Sequence, residues 1–237
     1  MLSDFQPWIE RWGLTPDGEP FVTPYAKSRL LPVQQAGRAA MLKLAASDDE
    51  RRGSAIMAWW NGQGAAPVLA HDDQALLMIR AEGDQSLAEM PDAAAIPILC
   101  GAVVRLHAVR TGLPAVPPLA HLFRALLDGS EPRLDGARRM ARGLLADPRD
   151  EVILHGDIHH FNVLDFGAEG WLAIDPWGYQ GERAYDYANI LKNPDLARIT
   201  APSRFDEGRG LIAEAAGLDP DRLLRWIYAH AGLAASW

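Results

Sequence analysis

The sequence predicts a two-lobed α+β fold in which a small antiparallel sheet with one helix precedes a mostly helical lobe. Three observations carry that expectation. Short apolar runs bounded by turn residues crowd residues 1–80, helical patterns dominate residues 81–237, and residues 80–83 read as a connector between them. A hydrophobic content of 49% over 237 residues is enough to bury a substantial core, as one large domain or two lobes, and argues against disorder.

Residues 19–23, 29–33 and 39–44 are strand candidates, separated by Pro24 and by the turn-forming Gln34-Gln-Ala-Gly37. Ser47 then opens a helix in which Ala55, Ile56, Trp59 and Trp60 recur at helical spacing, and Gly62 and Gly64 end it. Residues 68–71 and 75–79 form a further hairpin around Asp72-Asp73. Beyond the connector, helical patterns occupy 96–109, 119–127 and 136–145, short apolar strands occupy 152–154, 162–166 and 171–174, and helices return at 184–191 and 222–237. No repeat interrupts the order.

A formal net charge of −8 argues against nucleic acid as a partner, because phosphates would be repelled, and favours a cationic small molecule. The single cysteine, Cys100, lies in an apolar helical run and has no partner for an internal disulfide, so a reducing compartment is expected, with the thiol as core filler rather than nucleophile. No apolar stretch reaches the ~18 residues of a membrane span, and Met1-Leu-Ser-Asp-Phe-Gln-Pro7 lacks the regions of a signal peptide. The expected location is the cytoplasm, away from membranes.

The chemistry is concentrated between Glu151 and Gly178. An apolar strand delivers His155 and Asp157 to a loop, and Asn162 follows with four residues between it and Asp157. That H-x-D-x-x-x-x-N spacing is a phosphoryl-transfer signature. A second strand ends in Asp175, which falls beside Asn162 if the strands pair. Transfer of a phosphoryl group is mostly positioning and charge neutralisation, so a hard cation needs oxygen ligands, and Asn162 and Asp175 supply them for Mg²⁺. The acceptor hydroxyl gives its proton late to a carboxylate within reach, which Asp157 is placed to be. Asp165-Phe-Gly167 spells the metal-binding tripeptide of protein kinases but lies only three residues past Asn162, where Gly167-Ala-Glu-Gly170 reads as a hairpin turn. Asp165 is therefore expected to point outward, and Asp175 to be the metal carboxylate.

Strands plus one helix, a hinge and a helical lobe carrying this loop make the layout of a kinase. The sequence resembles the aminoglycoside phosphotransferase family, in the branch of streptomycin kinases and hydroxyurea phosphotransferases. Leu154-His-Gly-Asp-Ile-His-His-Phe-Asn-Val163, Leu172-Ala-Ile-Asp-Pro-Trp-Gly178 and Ala184-Tyr-Asp-Tyr-Ala188 carry it most sharply, and Arg11-Trp-Gly-Leu-Thr-Pro-Asp-Gly18 and Met41-Leu-Lys43 extend it over almost the whole chain. The resemblance implies a protein-kinase-like fold, ATP and Mg²⁺ as cofactors, and transfer to a hydroxyl of a small molecule, an aminoglycoside such as streptomycin. It also implies Asp157 as base, Asn162 and Asp175 as magnesium ligands and Lys43 as the lysine that grips the nucleotide phosphates. Glu50 is the candidate partner of Lys43 and equally the capping-box residue of the helix opened by Ser47. Asp186 is expected to brace the catalytic loop through backbone N–H groups, with His155 as its organiser. Glu182 and Trp177 are candidates to face the acceptor or simply to be solvated and packed.

Two features depart from the family. Pro24-Tyr-Ala-Lys-Ser28 has no glycine, so Ser28 and backbone amides would replace a glycine-rich phosphate cover. The chain stops inside an amphipathic helix, and a shortened C-terminus is the expectation. Two alternatives stay open from sequence: the same chemistry on hydroxyurea or another metabolite, and a metallophosphoesterase built on the Asp157/His159/His160 cluster.

Overall fold

The computed structural model describes residues 1–23 and 28–237. A 3₁₀ turn, Leu2–Phe5, runs into α1 (Gln6–Trp12), which ends on left-handed Gly13 and leads into β1 (Leu14–Pro16). β2 (Phe21–Val22), β3 (Arg29–Gln35) and β4 (Arg38–Leu44) follow, then α2 (Asp48–Trp60), β5 (Val68–His71) and β6 (Ala75–Ile79). The strands form one antiparallel sheet in the order β1-β3-β4-β6-β5, with β2 on the free part of β3. α1 and β1 extend the expected lobe by a second helix and an edge strand; each is too short for its periodicity to register in sequence. The β3–β4 turn is tighter than Gln34–Gly37 suggests, because Ala36 (φ 51°) and Gly37 (φ 77°) both adopt the left-handed backbone of a two-residue hairpin.

Alternation along these strands divides the sheet into two faces. Leu31, Val33, Ala40, Leu42, Ala75 and Leu77 pack outward beneath Phe5 of the N-terminal turn and the partly buried side chains of α1. Leu30, Met41, Lys43, Leu76 and Met78 point the other way, into a cleft. α2 closes that cleft from the side and shares its core residues Ile56, Met57 and Trp60 with the helical lobe. After α2, Gly64 has φ +90° and lies so close to Arg105 and Leu106 that a Cβ would meet their backbone at 2.8–3.1 Å. The same segment bonds to the helical lobe, with Ala66 N–H donating to Ala173 O and Ala173 N–H to Gly64 O, both at 2.9 Å.

The second lobe begins with α3 (Asp92–Leu106), α4 (Arg124–Asp128) and α5 (Asp135–Ala146). Two small sheets follow: β7 (Glu151–Leu154) pairs with β10 (Tyr179–Glu182), and β8 (Val163–Asp165) pairs with β9 (Trp171–Ala173). α6 (Leu196–Ile199), α7 (Arg204–Ala216) and α8 (Pro220–Ala234) complete it. Three sequence expectations need correction. α3 starts four residues before Ile96, opened by Pro91 and tolerating Pro97 inside its second turn. The pattern at 119–127 splits into a 3₁₀ turn (Leu119–His121) and α4, which share its apolar spacing but not one continuous helix. Residues 184–191 form 3₁₀ turns at Arg183–Tyr187 and Ile190–Lys192 rather than an α-helix. Among the described residues no helix is long and apolar enough to cross a membrane.

The lobe is held by aromatic packing. Phe123, Tyr185 and Trp226 meet edge to face with ring centroids 5.6–6.1 Å apart, and each is essentially unexposed. Cys100 is fully buried, and burial pushes its thiol up to about 12, which removes it from nucleophilic chemistry.

Candidate active site

Between the lobes lies a cleft of about 310 Å³. Its walls are apolar, from Leu30, Met41, Met57, Met78, Leu164 and Phe166, and its polar groups are concentrated at Ser28, Lys43, Asn162 and Asp175. Lys43 comes from β4, where the pleat turns it inward between Leu30 and Leu76. It is buried to 6% exposure, and its ammonium meets the Asp175 carboxylate directly and stands 3.8 Å from Glu50 Oε1. Burying that charge would be costly without these carboxylates. Glu50 combines the two roles open from sequence. Its own N–H is capped by Ser47 Oγ at 3.2 Å, while its carboxylate accepts from the Ala46 N–H and the Ser28 hydroxyl and faces Lys43. The Ser28 hydroxyl is therefore committed to Glu50; the rest of the glycine-free loop, residues 24–27, lies outside the described residues.

The strand pairing brings Asp175 to Asn162. β8 and β9 pair with Val163 opposite Ala173, and the ladder continues as Ile174 N–H donates to Asn162 O at 2.9 Å. Asp175 then leaves the strand with φ 60°, a left-handed backbone that is strained for a non-glycine residue and turns the chain sharply into Pro176. Asp165 sits elsewhere. Instead of pointing freely outward, it is half-buried against the connector, accepting from Gly167 N–H at 2.9 Å and Gln85 N–H at 3.4 Å.

Asp157 lies beyond Asn162 rather than in the cleft wall. The Asn162 amide donates to Asp157 O at 2.9 Å, which leaves its Oδ1 free toward the cleft. The Asp157 carboxylate accepts from Asn189 Nδ2 at 2.9 Å on Oδ1, and His159 Nε2 stands 3.5 Å from Oδ2. Burial alone would raise its pKa, but the hydrogen bond and charge of His159 outweigh it and hold the carboxyl below the usual range. It is ionised at neutral pH.

The loop is fixed from below. His155 is fully buried and stacks on Trp60 at 6.1 Å. Its Nδ1 accepts from Asp157 N–H at 3.2 Å, so Nε2 carries the proton and donates to Ile174 O at 2.8 Å. Burial lowers its pKa and keeps it neutral, which leaves it unable to act as a proton donor by losing charge. Asp186, 1% exposed, accepts from His155 N–H at 2.9 Å and Gly156 N–H at 2.7 Å, and from His107 Nε2 at 2.8 Å. Glu182 turns away from the cleft into a buried pair with Arg222, at 2.6 Å.

Sequence reasoning missed several participants. His107, at the C-terminal end of α3, serves Asp186. Arg52 Nε donates to both Trp177 O and Gly178 O at 2.9 Å, tying α2 to the turn after Asp175. Asn189 holds Asp157, and Lys192 nearby is lowered by burial to about 8 despite the attraction of Asp157. Asn189 had a legible signal, its place three residues after Asp186; Arg52 had none.

Asn162 and Asp175 suit a hard divalent cation, because both offer oxygen donors at one end of the cleft and the Asn162 amide nitrogen is already turned away. Among the described residues no group of three His, Cys, Asp or Glu side chains converges as a metal-binding cluster. The Asp157/His159/His160 cluster on which the hydrolase alternative rests is not such a group.

Sheet, helix α2, catalytic loop and returning carboxylate together define a two-lobed, protein-kinase-like phosphotransferase. The family model described as "Aminoglycoside/hydroxyurea antibiotic resistance kinase" matches residues 11–237. The chain belongs to that family. It is 46% identical to streptomycin 3''-kinase of Klebsiella pneumoniae, covering 97% of this chain and 90% of the relative. Streptomycin 6-kinase of Streptomyces glaucescens is 32% identical over 97% of this chain and 80% of its own length. Among solved structures, aminoglycoside phosphotransferase APH(4)-Ia superposes with a TM-score of 0.67 at 18% identity, covering 98% of this chain and 89% of that one, and so shares the fold.

Proposed function

We propose that this protein transfers the γ-phosphoryl group of ATP to a hydroxyl of an aminoglycoside, streptomycin foremost, and thereby inactivates the drug in the cytoplasm. The observation that carries the reading is the arrangement of Asp157 just beyond a Lys43/Asn162/Asp175 cleft, in a chain 46% identical to a streptomycin kinase. In this reading residues 1–80 are the nucleotide-binding lobe and residues 81–237 carry the catalytic loop and the acceptor site. The apolar walls take the base near Ile79 to Ala81, and Lys43, held by Glu50, takes the phosphates. Ser28 contributes by orienting Glu50. Mg²⁺ held by Asn162 and Asp175 would neutralise phosphate charge as it is transferred.

Asp157 orients the acceptor hydroxyl. As the acceptor oxygen bonds phosphorus and the bond to ADP breaks, the hydroxyl proton passes to the Asp157 carboxylate, which its lowered pKa keeps ionised and ready at neutral pH. Asp186 and His155 keep the loop in place. The net charge of −8 favours a cationic acceptor.

The test is mass spectrometry after incubation with Mg²⁺-ATP and a panel of streptomycin, other aminoglycosides and hydroxyurea. A phosphate-sized gain on streptomycin, absent with Asp157→Asn although that variant still binds ATP, is the expected result. A gain on hydroxyurea alone would move the acceptor within the same chemistry, and near-normal turnover in folded Asp157→Asn would reject Asp157 as base.

A further inference from the structure

We propose that Asn189 is a positioning residue that fixes which oxygen of Asp157 accepts the proton. The inference rests on the reading of Asp157 as base. It begins with an unusual backbone. Arg183–Tyr187 and Ile190–Lys192 are 3₁₀ turns, joined through Ala188 and Asn189, which both stay in the right-handed helical region. A 3₁₀ path has three residues per turn, so side chains three apart eclipse one another. Asp186 and Asn189 therefore stand in one row on the face turned to the catalytic loop.

The row divides its work. Asp186 holds the loop backbone through the His155 and Gly156 N–H groups, and Asn189 holds the loop's reactive side chain through Nδ2 to Asp157 Oδ1 at 2.9 Å. Asn189 is itself buried to 8% exposure and locked, since Asn193 Nδ2 donates to its backbone O at 3.1 Å and reaches its Oδ1 at 3.4 Å. With that lock, Asn189 offers its nitrogen to Asp157. Oδ1 is thus occupied by a short bond from a fixed donor. Oδ2 meets only longer approaches, from Asn162 Nδ2 at 3.4 Å and His159 Nε2 at 3.5 Å, and is the oxygen left for the acceptor.

The titratable groups around Asp157 are His155 and His159 on its own loop, Tyr185 and Lys192 on the 3₁₀ segment and His230 on α8; Asn189 adds a neutral donor to them.

The experiment compares wild type, Asn189→Leu, Asn189→Ser, Asn193→Ala and Asp157→Asn with Mg²⁺-ATP and streptomycin. Expected for Asn189→Leu is a kcat lowered about 30-fold with unchanged KM values for ATP and streptomycin, the pattern of a contribution made only in the transition state. Asn189→Ser, which keeps a donor, recovers part of the lost kcat, and Asn193→Ala gives a smaller loss in the same direction. A second readout needs no acceptor: nucleotide binding followed by titration calorimetry stays at the wild-type value in every folded variant. If Asn189→Leu does not fold, Asn193→Ala carries both readouts. Wild-type kcat in the folded variants, or a loss of nucleotide binding as large as the loss of kcat, would overturn the role of Asn189 while Asp157→Asn stays inactive. Turnover by Asp157→Asn would instead overturn the base on which it rests.

Discussion

Asp165 and Asp175 are the same residue type ten positions apart, and a single hairpin separates their fates. Asp165 spends its carboxylate on Gly167 and Gln85, and Gly83 packs so tightly against it that a Cβ there would lie 2.0 Å from the Asp165 carboxyl carbon. Asp175 is left facing Lys43 at the end of the cleft. Asp175→Ala should abolish Mg²⁺-dependent nucleotide binding, measured by titration calorimetry. Asp165→Ala should preserve that binding and lose about 1 kcal/mol of stability through its two backbone acceptor bonds. The opposite pattern would reassign the metal carboxylate. That Asp175 rather than Asp165 returns to the cleft was legible in sequence from the turn Gly167-Ala-Glu-Gly170 and the distance from Asn162. What Asp165 does instead was only half legible: Gly167 is two residues on, but Gln85 lies eighty positions earlier and nothing in the letters brings it there.

α2 argues against its own helix propensity. Gly53 sits in its interior, where alanine is ordinarily favoured by about 1 kcal/mol, yet an added Cβ would come within 2.2 Å of Pro176 O. From the opposite side, a Cβ on Gly178 (φ +72°) would strike Ile56 Cδ1 at 1.9 Å. Gly53→Ala should therefore lower Tm and cut kcat at least tenfold by lifting the helix from the turn after Asp175; a raised Tm, as propensity alone predicts, would disprove the close seat. The start of α2 was readable from Ser47 and the acidic first turn, as were the bounds of β5 and β6, because capping and alternation are local rules. Residues 184–191 were misread as an α-helix for the complementary reason. Their apolar pattern fits either pitch, and the choice of 3₁₀ comes from what Asp186 and Asn189 must touch.

Buried histidines concentrate in the helical lobe and make the molecule sensitive to acid. Burial lowers His230 to about 3 and His160 to about 4, from 6.5 in the unfolded chain. Between pH 6.5 and those values the unfolded state takes up protons that the folded state refuses, so stability is complete above 6.5 and falls as pH falls. At pH 5, His230 alone should cost ~2 kcal/mol. Thermal melts from pH 7.5 to 5 should show a steep decline that His230→Phe flattens; a level wild-type profile would refute it. None of this was visible in the sequence, where His160 reads as part of a candidate metal cluster and no local pattern marks His230 as buried. The two-lobed architecture itself was legible, since it follows from strand-rich and helix-rich halves around one loop. The joint between the lobes was not. Arg52, Gly53 and Gly178 clamp α2 to the turn after Asp175, so any swing of the helix must first break two hydrogen bonds and part a seat too close for a single added carbon.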